Sequence, residues 1–381
     1  MRHHRIGFSS RLWLRGCALL VVCMLGLAAH AAETGTIRIG QSATLSSPLA
    51  GLGKDVIQGI QAHLREINAA GGIGGRRLSL VQLDDGYDEQ QAERNAARLL
   101  DEGVVALIMP IGTPPALGVM RATAARGAAC VGVFTGAEAT RRFTSSAFLI
   151  RAGFRDEMEH IVRHLLTIGV DRIAVVHNAN PGAASSVAFV EEALTRGGKA
   201  LLGAVPVNDD LSNVDVAVAQ LQKLHPKAVV FSSNTRVASE IIKRYRPLAP
   251  SAQFYAYSFV DGRAVAAQIG GLATGLVVSQ VVPDPWHAVN PLALQYRAAM
   301  TAAGASELSY QSFEGYIAAR VLTEGLRRAG PAPTHGTVRQ ALSQLGELNL
   351  GQFTVRFSPT RNLGSTYVDL TMVSSTGKYV K

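Results

Sequence analysis

The apolar positions of Thr36–Asp85 change from strand-like to helix-like spacing and back again. A short apolar run, Ile37–Gly40, predicts a strand, and Leu78–Leu83 predicts a second one. Between them, four apolar residues recur at helical spacing and form one stripe that can pack on a sheet: Val56, Ile60, Leu64 and Ile67. The helix is expected to end at Gly71-Gly72. This pattern predicts a right-handed strand–helix–strand unit whose loop, Ser42–Gly53, lies at the ligand-facing edge of the sheet.

The same alternation of helices and strands continues along the chain. The next helix, strand, helix and strand are predicted at Asp88–Glu102, Val104–Pro110, Pro114–Arg126 and Ala128–Phe134. The nearly unbroken apolar run Val104–Pro110 is typical of a parallel strand that is covered on both faces. The pattern restarts near Arg151, with a helix at Asp156–Ile168 and a strand at Arg172–His177. A second α/β unit of similar construction is therefore expected.

A segment rich in prolines, Pro283–Pro291, fits neither period and indicates a linker. Helices are expected after it at Leu292–Ala303, Ser312–Ala329 and Thr337–Gln344. The last two stretches, Gly351–Phe357 and Thr366–Val373, alternate apolar and polar residues. They predict a C-terminal hairpin.

Composition and charge change this picture little. The chain has 381 residues, 48% of them hydrophobic and 17% charged, as expected for a globular protein with two domains of ordinary size. Its formal net charge is +9, but four of the 37 basic residues are arginines close to the N-terminus, and the remaining 33 face 28 acidic residues. No long Lys/Arg run remains, so nucleic acid is not an expected partner.

Residues 1–31 have the parts of a secretory signal peptide. A basic start leads into the apolar run Cys17–Ala29, which is too short to span a bilayer comfortably, and Ala29-His30-Ala31 matches a cleavage site. Neither cysteine of this leader has the spacing of a lipoprotein signal. The mature chain is therefore expected to be free in the periplasm, with Cys130 as its only cysteine and no internal disulfide.

Two sequence runs carry a family resemblance. The run IGQSATLSSPLAGLGK, followed by INAAGGIGGRRLSLVQLDD, resembles the opening of periplasmic amino-acid-binding proteins of the leucine/isoleucine/valine type, the soluble receptors of ABC importers. The resemblance covers nearly the whole chain after the leader. It implies the type 1 periplasmic binding fold: an α/β protein with two Rossmann-like lobes, parallel sheets and a three-stranded hinge. The chain would cross between the lobes near Gly153, Pro283 and Gly351.

The resemblance also implies how the chain is divided and what it does. The N-terminal lobe is expected to contain residues 32–152 and 284–351, and the C-terminal lobe residues 153–283 and 352–381. A monomer would close on a small carboxylate-bearing ligand, an amino acid or a related organic acid, and present it to an inner-membrane ABC permease. No cofactor, metal or enzymatic activity is expected. A periplasmic sensor of the same fold stays open as an alternative, as does a secreted hydrolase using His177, Asp85 or Glu314, for which no nucleophile or metal set can be assembled.

The strongest candidate for ligand binding is Ile111–Pro115, directly after a predicted strand. Thr is a good N-cap and Pro suits the first helical turn, so the Thr113 hydroxyl and unpaired backbone N–H groups are expected at a helix start. Such a place attracts a carboxylate, although a helix cap without any ligand has the same sequence pattern. In the resembled family, a Ser or Thr at this place holds the ligand carboxylate.

The loop after the neighbouring strand, Phe134–Ala137, is expected beside Thr113. In the resembled family this loop offers a hydroxyl and backbone groups to the ligand's carboxylate and amino groups. Thr135 and the backbone of Gly136 and Ala137 are the corresponding candidates. Ser47 is a further candidate, because it lies in the loop after the first strand.

The second lobe offers Asn234 and Ser258, which each follow a predicted strand. The leucine-type receptors have a Glu at about the place of Ser258, and that Glu pairs with the ligand ammonium. Asp261 and Glu314 are alternatives for that role, but each is more typical of a surface charge. Gly182 stands where many relatives have a Tyr over the ligand. The sequence therefore predicts a ligand with a carboxylate and not necessarily an amino group.

Motifs for other chemistry are incomplete. Gly51–Asp55 lacks the first Gly of a phosphate-binding loop and has an acid where Ser or Thr should bind magnesium. His160 and His164 are one helical turn apart, but they flank an apolar stripe, which is typical of a solvated helix face. Cys130 lies in an apolar strand and is expected in the core.

Overall fold

The computed structural model describes Met1 and residues 35–47, 49–179, 181–305 and 307–381. The predicted leader and its cleavage site lie outside the described residues. None of the helices in the described part of the chain is long and apolar enough to cross a membrane.

The first sheet has five strands in the order β2-β1-β3-β4-β5, and neighbouring strands pair in parallel. The strands are β1 (Ile37–Ala43), β2 (Leu78–Asp84), β3 (Ala106–Ile108), β4 (Ala129–Val131) and β5 (Ala147–Phe148). The helices that alternate with them are α1 (Ala50–Ala69), α2 (Glu89–Asp101), α3 (Thr113–Ala125) and α4 (Glu138–Arg141). The predicted parallel α/β arrangement of this lobe is confirmed.

A second set of alternating elements follows. Its strands are β6 (Ile173–Asn178), β7 (Gly203–Val207), β8 (Ala228–Ser232), β9 (Gln253–Ala256) and β10 (Leu276–Gln280). Its helices are α5 (Phe154–Thr167), α6 (Pro181–Arg196), α7 (Val214–Leu224), α8 (Thr235–Tyr245) and α9 (Gly262–Ile269). The strands pair in parallel and build the second lobe around its own apolar core.

The chain then returns to the first lobe with three helices and two strands. These are α10 (Pro291–Ala302), α11 (Tyr310–Arg328), α12 (His335–Ser343), β11 (Gly346–Asn349) and β12 (Thr354–Phe357). Helix α11 packs closely on α1 because each contributes a glycine at the contact. A Cβ atom at Gly59 would lie 1.7 Å from the carbonyl oxygen of Ser312, and one at Gly315 would lie 2.3 Å from that of Val56.

The C-terminal strands β13 (Asp369–Val373) and β14 (Tyr379–Val380) complete the second sheet, whose order is β14-β13-β10-β9-β8-β6-β7. Strand β13 is antiparallel to β10 and to β14, while β12 pairs with β11. The predicted hairpin between Gly351–Phe357 and Thr366–Val373 is therefore wrong. Alternation identified both stretches as half-buried strands, but it carries no information about the partner of a strand.

The third crossing between the lobes comes later than expected from the resemblance. Val355 and Phe357 are fully buried in the first core, and the Gly364 N–H donates to the Leu149 carbonyl at 2.7 Å. The chain thus stays with the first lobe as far as Gly364 and reaches the second sheet at Asp369. The expected crossing near Gly351 is wrong because the apolar face of β12 completes the first core.

Candidate ligand-binding cleft

Two threonine hydroxyls meet at the edge of the first sheet. Thr113 begins α3 directly after β3, and Thr135 follows the adjacent strand β4. Their Oγ1 atoms are 3.0 Å apart, and Thr135 Oγ1 also accepts the Ala137 N–H at 3.2 Å. Thr135 is buried and Thr113 is half-buried. We call these two residues the threonine pair; the carboxyl ends of adjacent parallel strands bring them together, as the sequence predicted.

The start of α3 differs from the sequence prediction in one respect. The N-cap is Gly112, with φ 85° and ψ 165°, and no side chain caps this helix. Pro114 and Pro115 carry no N–H, and the Ala116 N–H donates to the Gly112 carbonyl at 3.2 Å. The prediction of Thr113 as N-cap with several free N–H groups is therefore wrong. The first turn offers only the N–H of Thr113, together with its hydroxyl.

Tyr87 covers this helix start and was not identified from the sequence. A Cβ atom on Gly112 would lie 2.2 Å from a ring carbon of Tyr87, so only glycine leaves room for the ring. Tyr87 itself has φ 69°, a left-handed conformation that is uncommon for an aromatic residue and is often found at functional sites. Burial, followed by the charges of Asp209 and Asp85, raises the pKa of Tyr87. The phenol is therefore neutral at physiological pH and can donate a hydrogen bond.

Backbone groups of the Thr135–Ala137 loop are largely engaged within the protein. The Gly136 carbonyl accepts the Phe154 N–H at 2.8 Å, and the Ala137 carbonyl accepts the N–H and hydroxyl of Thr140 at 3.0 and 2.8 Å. A Cβ atom on Gly136 would lie 2.6 Å from Phe154. Gly136 and Ala137 thus hold the loop in place, and the Thr135 hydroxyl is the group that the loop presents beside Thr113.

Ser47 and Asn234 act as local caps. Ser47 Oγ accepts the Leu49 N–H at 3.1 Å just before α1. Asn234 is the N-cap of α8, where its Oδ1 accepts the Val237 N–H at 3.0 Å. Its amide nitrogen still reaches Asp209 Oδ1 at 3.4 Å. Of these two candidates, only Asn234 has a side-chain group that extends beyond its own helix start.

Ser258 belongs to a buried charge cluster, which consists of Arg151, Glu157, Ser258, Ser279 and Glu314. The Ser258 N–H and hydroxyl donate to the two carboxylate oxygens of Glu157 at 2.7 and 3.0 Å, and its Oγ accepts a hydrogen bond from Arg151. Ser279 donates to Glu157 at 2.6 Å. Both polar groups of Ser258 are therefore engaged with charged side chains, which explains why a Ser is accommodated here.

The charge cluster connects the two lobes. Arg151 lies in the segment between β5 and α5, Glu157 on α5 of the second lobe and Glu314 on α11 of the first. The Arg151 guanidinium is 3.4 Å from Glu157 and 3.5 Å from Glu314, and all three side chains are buried. Arg151 also lies 5.0 Å from the ring centre of Phe134. Burial raises the pKa of Glu314 to about 7, although the nearby Arg151 opposes this rise.

Two further acids from the sequence analysis, Asp261 as a ligand partner and Asp85 in the hydrolase alternative, are engaged elsewhere. Asp261 is the N-cap of α9 and accepts the N–H groups of Arg263 and Ala264 at 2.9 and 3.3 Å. It lines a cavity of about 580 Å³ between the lobes, whose lining does not include the threonine pair. Asp85 accepts the hydroxyls of Ser42 and Thr44 at 2.8 and 2.9 Å. Both carboxylate oxygens of Asp85 thus accept hydrogen bonds within the first lobe.

The second sheet contributes its own polar edge. Asn178, at the end of β6, donates to the carboxylate of Asp209 and accepts the Asn234 N–H at 2.8 Å. Tyr257, at the end of β9, packs edge-on against Phe154 with ring centres 4.4 Å apart, and burial raises its pKa. The sequence analysis did not select Asn178, Asp209 or Tyr257 as site residues, although Tyr257 immediately precedes the selected Ser258. Their one common signal is that each follows the carboxyl end of a parallel strand or closes one.

Comparison with known proteins identifies this arrangement. The family model described as "Periplasmic binding protein" matches residues 36–378. The chain belongs to the periplasmic binding protein family. The match spans both lobes of the protein and nearly all of its described residues. The resemblance to the leucine/isoleucine/valine type and the type 1 fold are thereby confirmed.

Individual relatives agree with this assignment. The Leu/Ile/Val/Thr-binding protein of Salmonella typhimurium is 23% identical over 277 residues, which cover 70% of this chain and 74% of the relative. A substrate-binding periplasmic protein from Ralstonia solanacearum is 31% identical, with a TM-score of 0.83 and coverage of 90% and 99%. A possible leucine/isoleucine/valine-binding protein from Rhodopirellula baltica is 28% identical, with a TM-score of 0.85 and coverage of 93% and 98%. This periplasmic binding protein therefore has a solute-binding role, in a family of binding proteins and not of enzymes.

Proposed function

We propose that this periplasmic binding protein captures a small carboxylate-bearing ligand between its two lobes in the periplasm and delivers it to an ABC permease. The observation that carries the proposal is the threonine pair at the start of α3, with its hydroxyl oxygens 3.0 Å apart. The pair lies at the carboxyl edge of a parallel sheet, where open α/β sheets bind their ligands.

Donor counting explains why an anion suits this place. Each hydroxyl has one proton, and one of the two is used in the hydrogen bond between Thr113 and Thr135. The other hydroxyl proton and the Thr113 N–H remain, which gives two neutral donors for the two oxygens of a carboxylate. Hydrogen bonds to a charged acceptor are about twice as strong as neutral ones. The partial positive charge at the N-terminus of α3 favours the same sign of ligand.

The relatives and the leader support the remaining parts of the proposal. The Salmonella relative is named for binding Leu, Ile, Val and Thr, and each of these amino acids has a carboxylate. The predicted signal peptide supports export to the periplasm. A ligand that contacts both lobes at once stabilises the closed state, and the closed state is the form that a permease would recognise.

Native mass spectrometry of gently purified protein, followed by calorimetry with carboxylic acids, tests the ligand class. We expect a retained or added carboxylate, and we expect small-angle scattering to detect compaction at saturating ligand. Binding of an uncharged solute in preference to every carboxylate would contradict the proposed ligand. A radius of gyration that does not change at saturation would contradict closure of the lobes.

Delivery to a permease requires a separate test. Transport of the identified ligand into vesicles should need both this protein and the permease encoded beside its gene. If ligand binding instead stimulates a neighbouring sensor kinase and no uptake follows, the transport part of the proposal is wrong. The binding part would stand in that case.

A further inference from the structure

The far edge of the second sheet holds a carboxylate in a fixed position. Asp209 lies in the loop between β7 and α7, and its Oδ1 accepts hydrogen bonds from the amides of Asn178 and Asn234. Arg236 donates to the backbone oxygen of Asp209, at 3.2 Å, and not to its carboxylate. The result is a carboxylate whose Oδ1 is held in place by two amides.

This carboxylate lies at the carboxyl edge of the second sheet, because Asn178 closes β6 and Asn234 follows β8. Its negative charge also contributes to the raised pKa of Tyr87 in the first lobe. The Tyr87 ring covers Gly112, the residue immediately before Thr113. Asp209 therefore lies at the ligand edge of its sheet, as the threonine pair does in the first lobe.

We propose that Asp209 is a specificity-determining residue that pairs with a cationic group of the ligand. The inference rests on the proposed function and extends it: the ligand has an amine as well as a carboxylate. A carboxylate whose one oxygen is fixed by two amides is pre-organised, so little side-chain entropy is lost when an ammonium binds the other oxygen. The other acids near the cleft are unsuitable, because Asp261 caps α9 and Glu314 is buried beside Arg151.

The position of Asp209 in the sheet also restricts the ligand. Asp209 follows β7, the last strand of the second sheet, whereas Ser258 follows β9, three strands away in the order β9-β8-β6-β7. The carboxylate of Asp209 reaches inward from that edge strand to Asn234, which follows β8, so it lies nearer to the centre of the sheet edge than its backbone does. Asp209 and the threonine pair belong to different lobes, so a ligand that contacts both spans the cleft. We expect its amine to be separated from its carboxylate by several bonds, as in an ω-amino acid.

Three probes of one carbon skeleton test this inference: valerate, norvaline and δ-aminovalerate. Calorimetry should rank δ-aminovalerate first for the wild type. Asp209→Asn keeps the shape and the amide contacts but removes the charge, and should weaken δ-aminovalerate by about 10 to 150-fold while leaving valerate unchanged. Asp210→Asn is the matched control, since Asp210 is the next residue and its carboxylate accepts the Ser212 N–H within its own loop at 2.9 Å. It should leave all three affinities unchanged.

Other outcomes would overturn the inference. Equal δ-aminovalerate affinity in wild type and Asp209→Asn would exclude the proposed pairing. An equal loss for all three probes would indicate a structural role of the loop and not recognition of charge. If Asp209→Asn weakened norvaline and spared δ-aminovalerate, the proposed separation of charges would be wrong.

Different results of the same experiments would contradict the proposed function. Thr113→Val should weaken all three probes, because each has the carboxylate. Valerate binding that depends on Thr113 but not on Asp209, without any preference for an amine, would preserve the proposed function and refute this inference. A wild type that binds none of the three probes, while it binds uncharged solutes, would contradict both.

Discussion

Two groups of polar side chains lie where the lobes meet, and they use opposite chemistry. The threonine pair is neutral and lies at the edge of one sheet, and Thr113 is only half-buried. The buried charge cluster joins Arg151 to two glutamates, one from each lobe, and none of the three is exposed by more than a few per cent. The buried charges thus connect the lobes, whereas the threonine pair offers neutral donors for the ligand carboxylate.

The energetics of burial explain this division. A charge that loses water without a partner is destabilising by several kcal/mol, so it is stable only where the surrounding groups are fixed. Glu157 meets that condition, since Ser258 and Ser279 donate to its carboxylate, and one guanidinium nitrogen of Arg151 donates to both Glu157 and Ser258. A ligand site is filled and emptied repeatedly. The free-energy cost of removing water when a ligand binds is smaller for hydroxyl groups than for a charged group.

Removal of Arg151 should have the largest effect. Arg151→Met leaves Glu157 and Glu314 buried without their common cation, and we expect a loss of about 3 to 5 kcal/mol in the free energy of unfolding, measured by urea denaturation. Arg155→Met is the control, because Arg155 is half-exposed and pairs with Glu192 on the surface. It should change stability by at most about 1 kcal/mol. Equal losses in the free energy of unfolding for the two substitutions would show that the buried cluster stabilises the fold no more than a surface ion pair does.

Glu314 should make stability depend on pH. Burial raises its pKa from 4.5 to about 7 in the folded protein, so the folded state binds this proton more tightly than the unfolded state does. Its contribution to stability is complete below about pH 4.5 and is lost as pH rises through about 7. The wild type should therefore lose about 3 kcal/mol relative to Glu314→Gln over that range. Denaturation of both proteins at about pH 5 and about pH 8 measures the difference.

A surface residue on the same helix provides the control for this titration. Glu324 pairs with Arg327 and Arg328 on α11 and is partly exposed. Glu324→Gln should follow the wild-type pH dependence. If the stability of Glu314→Gln changes with pH in the same way as that of the wild type, Glu314 is charged in the folded protein at all these pH values. The cluster would then have a net negative charge.

The threonine pair should affect binding and not stability. Thr113→Val keeps the side-chain shape but removes the hydroxyl, and we expect ligand affinity to fall by about 1.5 to 3 kcal/mol, on the order of 10 to 150-fold. Thr113→Ser retains the hydroxyl and should bind within a few-fold of wild type. Calorimetry with one carboxylate compares the three proteins. A valine variant that binds as the serine variant does would show that the hydroxyl does not contact the ligand.

Tyr87 should have the smallest effect. Tyr87→Phe retains the ring over Gly112 and removes only the neutral phenol donor, so we expect a loss of about 0.5 to 1.5 kcal/mol in binding. Tyr245→Phe is the control, since that hydroxyl donates to the Leu221 carbonyl inside the second core at 3.3 Å. It should leave affinity unchanged. A Tyr87→Phe variant with wild-type affinity would place the phenol outside the ligand contacts.

Local sequence was sufficient for the parts of the site that depend on strand order. Thr113 and Thr135 were found because each follows an apolar strand, and adjacent parallel strands end at the same edge. The strand–helix alternation of both lobes was predictable for the same reason, because apolar periodicity reports which face of an element is buried.

Contacts between distant residues were not predictable in this way. Ser258 was selected by its position after a strand, but Glu157, 101 residues earlier in the chain, holds both of its polar groups. No sequence motif marks Asp209, and only the fold brings the Asn178 amide to its carboxylate. Tyr87 depends on a left-handed backbone that no aromatic residue adopts by preference. Such features are determined by the tertiary structure and leave no periodic signal.

Cys130 gives the protein a practical property. It is the only cysteine after the predicted leader, it is fully buried in β4, and burial raises its pKa to about 12. On the order of one molecule in 10⁵ has a thiolate there at neutral pH, so maleimide dyes should leave the native protein unlabelled. One new cysteine in each lobe, at exposed positions such as Gln90 and Val216, would accept a donor and an acceptor fluorophore without background. Energy transfer between the two fluorophores would report the distance between the lobes, and so ligand-induced closure, in real time.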